Sequence, residues 1–294
     1  MSPNTKEKFL VTSASGKTSK LVIDLLRAKG ADVRALVRDP AKVPGLADKG
    51  VEVVAGDFDK PDVLAKALDG VTSVFLVTPM HPDAHGMVER FLAVATKSPS
   101  APRIVRLSAI KGTEQGPTGN SRTHGTADRL IQESGLSFVI LRPNYYLQNF
   151  FGSAEQMLSM GQFFAGVGDG KLGLIDVRDI ADVAAAVLLD HQWDRGIYEL
   201  TGPASVSFHD VARELGAALG REIKYVPVPP EAVRDSILKL GWGEWPANVL
   251  ADYSRAYARG WGDCTTTFVE KIAGHRARSV ADFAKEVFAP AFKR

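Results

Sequence analysis

The sequence is nearly without cysteine: Cys264 is the only one in 294 residues. A single thiol excludes an intrachain disulfide and a multi-cysteine metal site, and it fits a reducing compartment. Long apolar runs are also missing. Residues 138–141 and 181–189 come nearest, and they are too short or too interrupted to span a bilayer. Residues 1–8 are polar and lack the apolar stretch of a secretory signal, so a cytoplasmic protein with no membrane partner is expected. There is no charge excess either. Lys and Arg total 36 against 34 Asp and Glu, a net of +2, which gives no broad basic surface and speaks against a nucleic-acid partner. No G-x-S-x-G elbow occurs, so a serine hydrolase has no anchor. The chain shows no internal repeat, low-complexity tract or clean linker.

What is present is an alternation of two periods. Short apolar runs at residues 8–12 (KFLVT), 32–37 (DVRALV), 51–55 (VEVVA), 73–77 (SVFLV), 103–107 (RIVRL) and 137–141 (SFVIL) suit strands buried on both faces. Between them, residues 18–29, 61–68, 85–96 and 124–135 carry helical stripes, with Pro61 as a start signal and Gly30 as a stop. Such alternation calls for an α/β protein with a Rossmann-like, doubly wound parallel sheet. The rhythm changes after Arg142. Residues 145–160 read as a helix and 163–174 as an irregular glycine-rich segment. Helices are expected at 176–190 and 208–219, the latter capped by Ser207, with strands at 196–200 and 222–226 and mostly helix from Pro229. The expected division is a nucleotide-binding core over residues 1–142. Residues 143–294 would form mostly a smaller C-terminal substrate-binding lobe, interleaved with the core.

The most informative segment follows the first strand: Thr12-Ser13-Ala14-Ser15-Gly16-Lys17-Thr18-Ser19. A strand-to-helix turn of small residues lets the backbone approach a diphosphate, which the free amides of the helix N-terminus then hold. Glycine is usual at the positions of Ser13, Gly16 and Ser19, and only Gly16 keeps it. Serine nearly meets the size requirement but resists positive φ, so Ser13 is expected outside the left-handed region. Gly16-Lys17-Thr18 resembles the end of a P-loop, yet Val11 stands where that motif needs its first glycine. At the end of the second strand, an acid would grip the ribose hydroxyls of NAD(H). Arg38 is there instead, with Lys42 and Lys17 in support, which suits a 2′-phosphate and favours NADP(H) over NAD(H). Asp39 follows at once and leaves NAD(H) open.

The stretches VTSASGKTSKLV, ALVRDPAK, VEVVAGDF, FLVTP, RLSAIKG, SRTHGTADRLIQESGLSFVILRPNYYLQNF, LIDVRDIADVAAAVL and YELTGPASVSFHDVARELG occur in order over about residues 8–230. Together they resemble the NmrA-like branch of atypical short-chain dehydrogenase/reductases. That branch includes quinone and triphenylmethane reductases, NADP-sensing regulators and ergot-alkaloid dehydrogenases. The resemblance implies that residues 13–18 wrap the diphosphate and Arg38 reads the 2′-phosphate. It implies that Asp57 and Phe58 flank the adenine, and that Thr78 and Pro79 line the path to the nicotinamide ribose. Pro143, Asn144, Tyr145 and Tyr146 would border the nicotinamide and substrate. Ser108 fills the place of the serine of ordinary short-chain dehydrogenases, whereas His124 and Asp128 stand where their tyrosine and lysine would be. An aspartate cannot supply the lysine's positive charge, so alcohol–ketone chemistry by that route is not expected.

Two functions therefore stand side by side. One is an NADPH-dependent reductase that passes hydride to an electron-poor or conjugated acceptor such as a quinone or iminium ion, with His124, either a proton donor or an inert helix-start histidine, and Tyr145 as its catalytic candidates. The other is an NADP(H)-binding redox sensor that regulates a partner without turnover. The substrate would be a small aromatic or conjugated molecule, and the protein a monomer or homodimer. His81 and His85 read as an exposed helix start, and no metal site is expected. Trp242, Trp245, Tyr253, Tyr257 and Trp261 read as core, subunit contact or the wall of a pocket for a flat ligand.

Overall fold

The computed structural model describes residues 7–292. Its elements run β1 (Lys8–Val11), α1 (Lys17–Ala28), β2 (Asp32–Val37), β3 (Glu52–Ala55), α2 (Pro61–Leu68), β4 (Ser73–Leu76), α3 (Ala84–Ala95), β5 (Arg103–Leu107), α4 (Gly119–Glu133) and β6 (Phe138–Pro143). They continue with α5 (Ala154–Met160), β7 (Gln162–Ala165), β8 (Lys171–Leu172), α6 (Val177–Leu189), β9 (Ile197–Leu200), β10 (Val206–Ser207) and α7 (Phe208–Leu219). The last are β11 (Lys224–Pro227), α8 (Pro230–Lys239), α9 (Glu244–Ala258), α10 (Phe268–Ala273) and α11 (Val280–Phe283).

Seven strands form one sheet in the order β3-β2-β1-β4-β5-β6-β9. The pairs from β3 through β6 are parallel, with Leu10 of β1 opposite Arg34 of β2 and Val74 of β4. The strand order reverses beside β1, so this is a doubly wound Rossmann-like sheet with its switch point between β1 and β4. Strands buried on both faces explain the near-continuous apolar runs. Leu10, Leu36, Val74, Ile104 and Ile140 pack with Leu64, Phe91 and Ile131 of the helices, while Phe9, Val33 and Phe75 alternate with them along the strands and are equally buried. Among the described residues, no helix is long and apolar enough to cross a membrane.

The chain forms two compact units. Unit 1 holds the residues through Gln115, Arg122–Arg142 and Ile180–Tyr198. Unit 2 holds Gly116–Ser121, Pro143–Asp179 and the residues from Glu199 on. The core of unit 2 is built from Leu147, Phe150, Phe163, Phe208, Leu215, Tyr257, Phe283 and Phe288.

Three local expectations need correction. The helix expected from residue 124 begins at Gly119, because Thr118 and Ser121 cap it reciprocally: Ser121 N donates to Thr118 Oγ1 at 2.9 Å and Thr118 N to Ser121 Oγ at 3.1 Å. The helix expected over 145–160 is a 3₁₀ turn at Leu147–Ser153 followed by α5, and it stops at Gly161 with φ of 68°. The irregular segment 163–174 contains β7 and β8. β7 pairs in parallel with β11 and β8 antiparallel with β10, partners too distant in sequence for local periodicity to show.

Candidate functional site

The turn after β1 is latched to β4. Thr12 Oγ1 donates to Val77 O at 2.9 Å and accepts from Val77 N at 2.8 Å, while Ser13 Oγ donates to Val77 O at 2.8 Å. Ser19 Oγ ties the start of α1 back to Thr12 O at 3.1 Å. Ser13 sits in the left-handed region with φ of 47°, contrary to expectation. Its hydroxyl bond to Val77 holds it there, a conformation glycine would adopt without strain. Gly16 is the extended N-cap of α1; a Cβ added there would lie 3.1 Å from Ser13 O. No side chain caps α1 and no acid stands in its first turn. The orphan amides and the positive end of the helix dipole are therefore left for an anion. This cradle fits a dinucleotide diphosphate.

The other residues of unit 1 singled out in the sequence lie past the carboxyl ends of neighbouring strands. Arg38 and Lys42 follow β2 and are exposed. Asp57 follows β3 and accepts from Asp59 N at 3.1 Å. Phe58 is turned into the core, edge-on to Phe91 with 6.4 Å between ring centroids. Thr78 and Pro79 follow β4, and Ser108 follows β5.

Behind Thr78 and Ser108 is a buried polar group. Ser108 Oγ donates to Asp128 Oδ2 at 2.9 Å, and Arg142 contacts the same oxygen through Nε and Nη2, each at 2.9 Å. Arg106, fully buried on β5, donates from Nη1 to Thr78 Oγ1 at 3.1 Å; its Nε and Nη2, His124 Nδ1 and Asp128 Oδ1 have no hydrogen-bond partner. Desolvation, and then repulsion by Arg106 and Arg142, push His124 down to about 3, so the imidazole is neutral near pH 7. Desolvation raises Asp128 against the opposing pull of Arg142 and Arg106. Arg106 and Arg142 escaped the sequence reading because Arg106 lies within RIVRL, read as an apolar run, and Arg142 directly follows the run SFVIL. The available signal was a cation inside a strand buried on both faces, which is costly unless it has a purpose.

In unit 2, Asn144 is fully committed: its Nδ2 donates to Gly262 O at 2.9 Å and its Oδ1 accepts from Tyr145 N at 2.8 Å. Tyr145 packs against Phe208 and Tyr257 with centroids 5.7 and 6.0 Å away, and burial raises its phenol to about 12. Tyr253 stacks on Tyr257 at 5.5 Å and borders Trp261, while Asn120 donates to the Tyr253 hydroxyl at 2.8 Å. Trp242 stands apart from this group at 58% exposure. A surface hollow of about 490 Å³ in this unit, lined by His209, Arg213, Arg221, Lys224 and Tyr225, contains none of the residues singled out in the sequence.

A family model described as NAD(P)H-binding matches residues 13–191. An NAD(P)H azoreductase of Xenophilus azovorans is 34% identical over 94% of this chain and 96% of its own. The NADPH complex of quinone oxidoreductase QOR2 from Escherichia coli superposes with a TM-score of 0.86 at 24% identity, covering 95% of this chain and 99% of that one. NmrA, a negative transcriptional regulator solved with NAD, has the same fold, with a TM-score of 0.78 at 16% identity over 98% and 97% of the two chains.

Proposed function

The chain belongs to the NAD(P)H-binding family of NmrA-like atypical short-chain dehydrogenase/reductases, and from that premise we propose that it is an NADPH-dependent reductase of electron-poor, conjugated acceptors. The observation that carries the reading is the uncapped start of α1 behind a small-residue turn latched to β4. Bound there, the dinucleotide supplies the hydride. The amides of residues 13–18 hold its diphosphate, and Arg38 with Lys42 holds the 2′-phosphate. Thr78 Oγ1 accepts from Arg106, which leaves its own proton to donate to a ribose hydroxyl. Ser108 uses its O–H to donate a hydrogen bond to Asp128, which leaves its oxygen to accept from the ligand.

None of these groups is a strong acid. The imidazole of His124 is neutral, and the phenol of Tyr145 holds its proton well past neutral pH. Acceptors that need little proton assistance match this equipment, and the protein's part is then orientation and exclusion of water. The azoreductase relationship supports the same acceptor class.

The test is to follow oxidation of NADPH with a panel of quinones, azo compounds, imines and cationic dyes. Catalytic turnover with at least one member is expected. Tight NADPH binding with no turnover across the panel would overturn the reductase reading and favour a redox-sensing regulator. The committed Ser108 hydroxyl and neutral His124 are compatible with that alternative.

A further inference from the structure

Resting on the reductase reading and narrowing its substrate, we infer that the buried guanidinium group behind the ends of β4 and β5 selects acceptors by charge: neutral or anionic acceptors, the quinone and azo class, over cationic dyes and iminium ions. Four titratable side chains from three elements meet here: Arg106 of β5, His124 and Asp128 of α4, and Arg142 of β6. Asp128 is the one acid among them. Its Oδ2 is occupied by Arg142 and by Ser108. Arg106 reaches only the neutral Thr78 hydroxyl, with Nε and Nη2 unpartnered.

Two cations against one carboxylate leave at least one net positive charge, and a proton on Asp128 would add to it. His124 contributes no negative charge in either protonation state. Burial lowers Arg106 only to about 10, so it remains a cation at neutral pH. The depression of His124 to about 3 includes repulsion from both guanidiniums, as expected inside a positive field.

This charge is directed at the ligand through its surroundings. Arg106 holds Thr78 past the end of β4, and Ser108 stands just past the end of β5. Ligands of an open parallel sheet lie beyond those ends. A unit charge about 10 Å away at an effective dielectric near 20 alters affinity by about tenfold, and burial shields the interaction from salt.

The chemistry fixes where the effect is read. An acceptor that takes a hydride gains one bond to hydrogen with both electrons, so its charge falls by one unit and the oxidised cofactor becomes one unit more positive. A quinone becomes a hydroquinone anion, which water then protonates. A cationic acceptor becomes neutral. The charge change is the same in both cases, so the field assists the transfer step equally. The two classes differ by a full unit in the charge they bring to the site, and the discrimination appears in KM rather than kcat.

A matched series tests this: one naphthoquinone ring carrying a sulfonate, no charged group, or a trimethylammonium. kcat/KM with NADPH and, without NADPH, Kd from quenching of tryptophan fluorescence are both measured. The expected order is sulfonate, neutral, ammonium, with about tenfold per step. The steps should lie in KM, be repeated in Kd and persist at high salt. Arg106→Met should flatten the series by about tenfold and Arg106→Lys should preserve it. A flat or reversed order in the wild-type protein, an order abolished by salt, or an order unchanged in a folded Arg106→Met would overturn the inference. If Arg106→Met does not fold, the wild-type order at low and high salt decides. If no member of the wider acceptor panel is reduced, the reductase reading falls, and the order of Kd still decides this one.

Discussion

Two opposing terms act on Ser13. A left-handed conformation costs a non-glycine residue about 1–2 kcal/mol, and a hydrogen bond returns about 1 kcal/mol. The 2.8 Å bond to Val77 O is therefore large enough to matter in holding φ at 47°. Ser13→Gly removes strain and bond together and should leave stability within about 1 kcal/mol of the parent, whereas Ser13→Ala keeps the strain, loses the bond and should cost about 1–2 kcal/mol. Urea denaturation of the two variants checks this; equal or inverted stabilities would mean that the hydroxyl does not hold the turn. The sequence identified the turn correctly and misjudged its backbone. Side-chain size is visible in one residue, but the carbonyl that compensates the strain comes from Val77, just past the end of β4. Arg106 and Arg142 show the same limit. Their roles depend on Thr78, Ser108 and Asp128, which three different parts of the chain supply.

At the scale of elements, strands buried on both faces were legible because their apolar runs are local. The β7–β11 pair was not, because Phe163 lies opposite Tyr225, far along the chain. Helix α4 is the instructive case. Its interior Gly125 costs about 1 kcal/mol relative to alanine on propensity alone, which predicts that Gly125→Ala stabilises. The structure reverses the sign. A Cβ at Gly125 would lie 2.1 Å from Thr113 C and 2.5 Å from Glu114 N, and backbone cannot rotate out of the way as a side chain can. Over-packing of this kind costs about 1–3 kcal/mol and should outweigh the propensity gain. The displaced loop starts from Ser108, so Gly125→Ala is expected to lower the thermal midpoint and weaken NADPH binding together. A raised midpoint with unchanged binding would show that the loop has room to spare.

For the whole molecule, the layered architecture followed from alternation alone, and the turn of residues 12–19 lies beside the switch point at β1, the crevice in which open sheets of this kind bind their ligands. Interleaving of the two units was expected, but not which segments cross: residues 116–121 belong to unit 2, and residues 180–198 return to unit 1 after a stretch that belongs to unit 2. No local signal marks such a return; only packing does. The proposed preference for a phosphorylated dinucleotide rests on Arg38 at the end of β2, where charge-assisted hydrogen bonds to a 2′-phosphate would contribute about 1.5–3 kcal/mol. The most direct measurement is calorimetric titration of the wild-type protein and Arg38→Ala with NADPH and with NADH. The account predicts saturable binding, with NADPH at least about tenfold tighter than NADH and that margin lost in the variant. No detectable binding of either dinucleotide, or equal affinities in the wild-type protein, would contradict it.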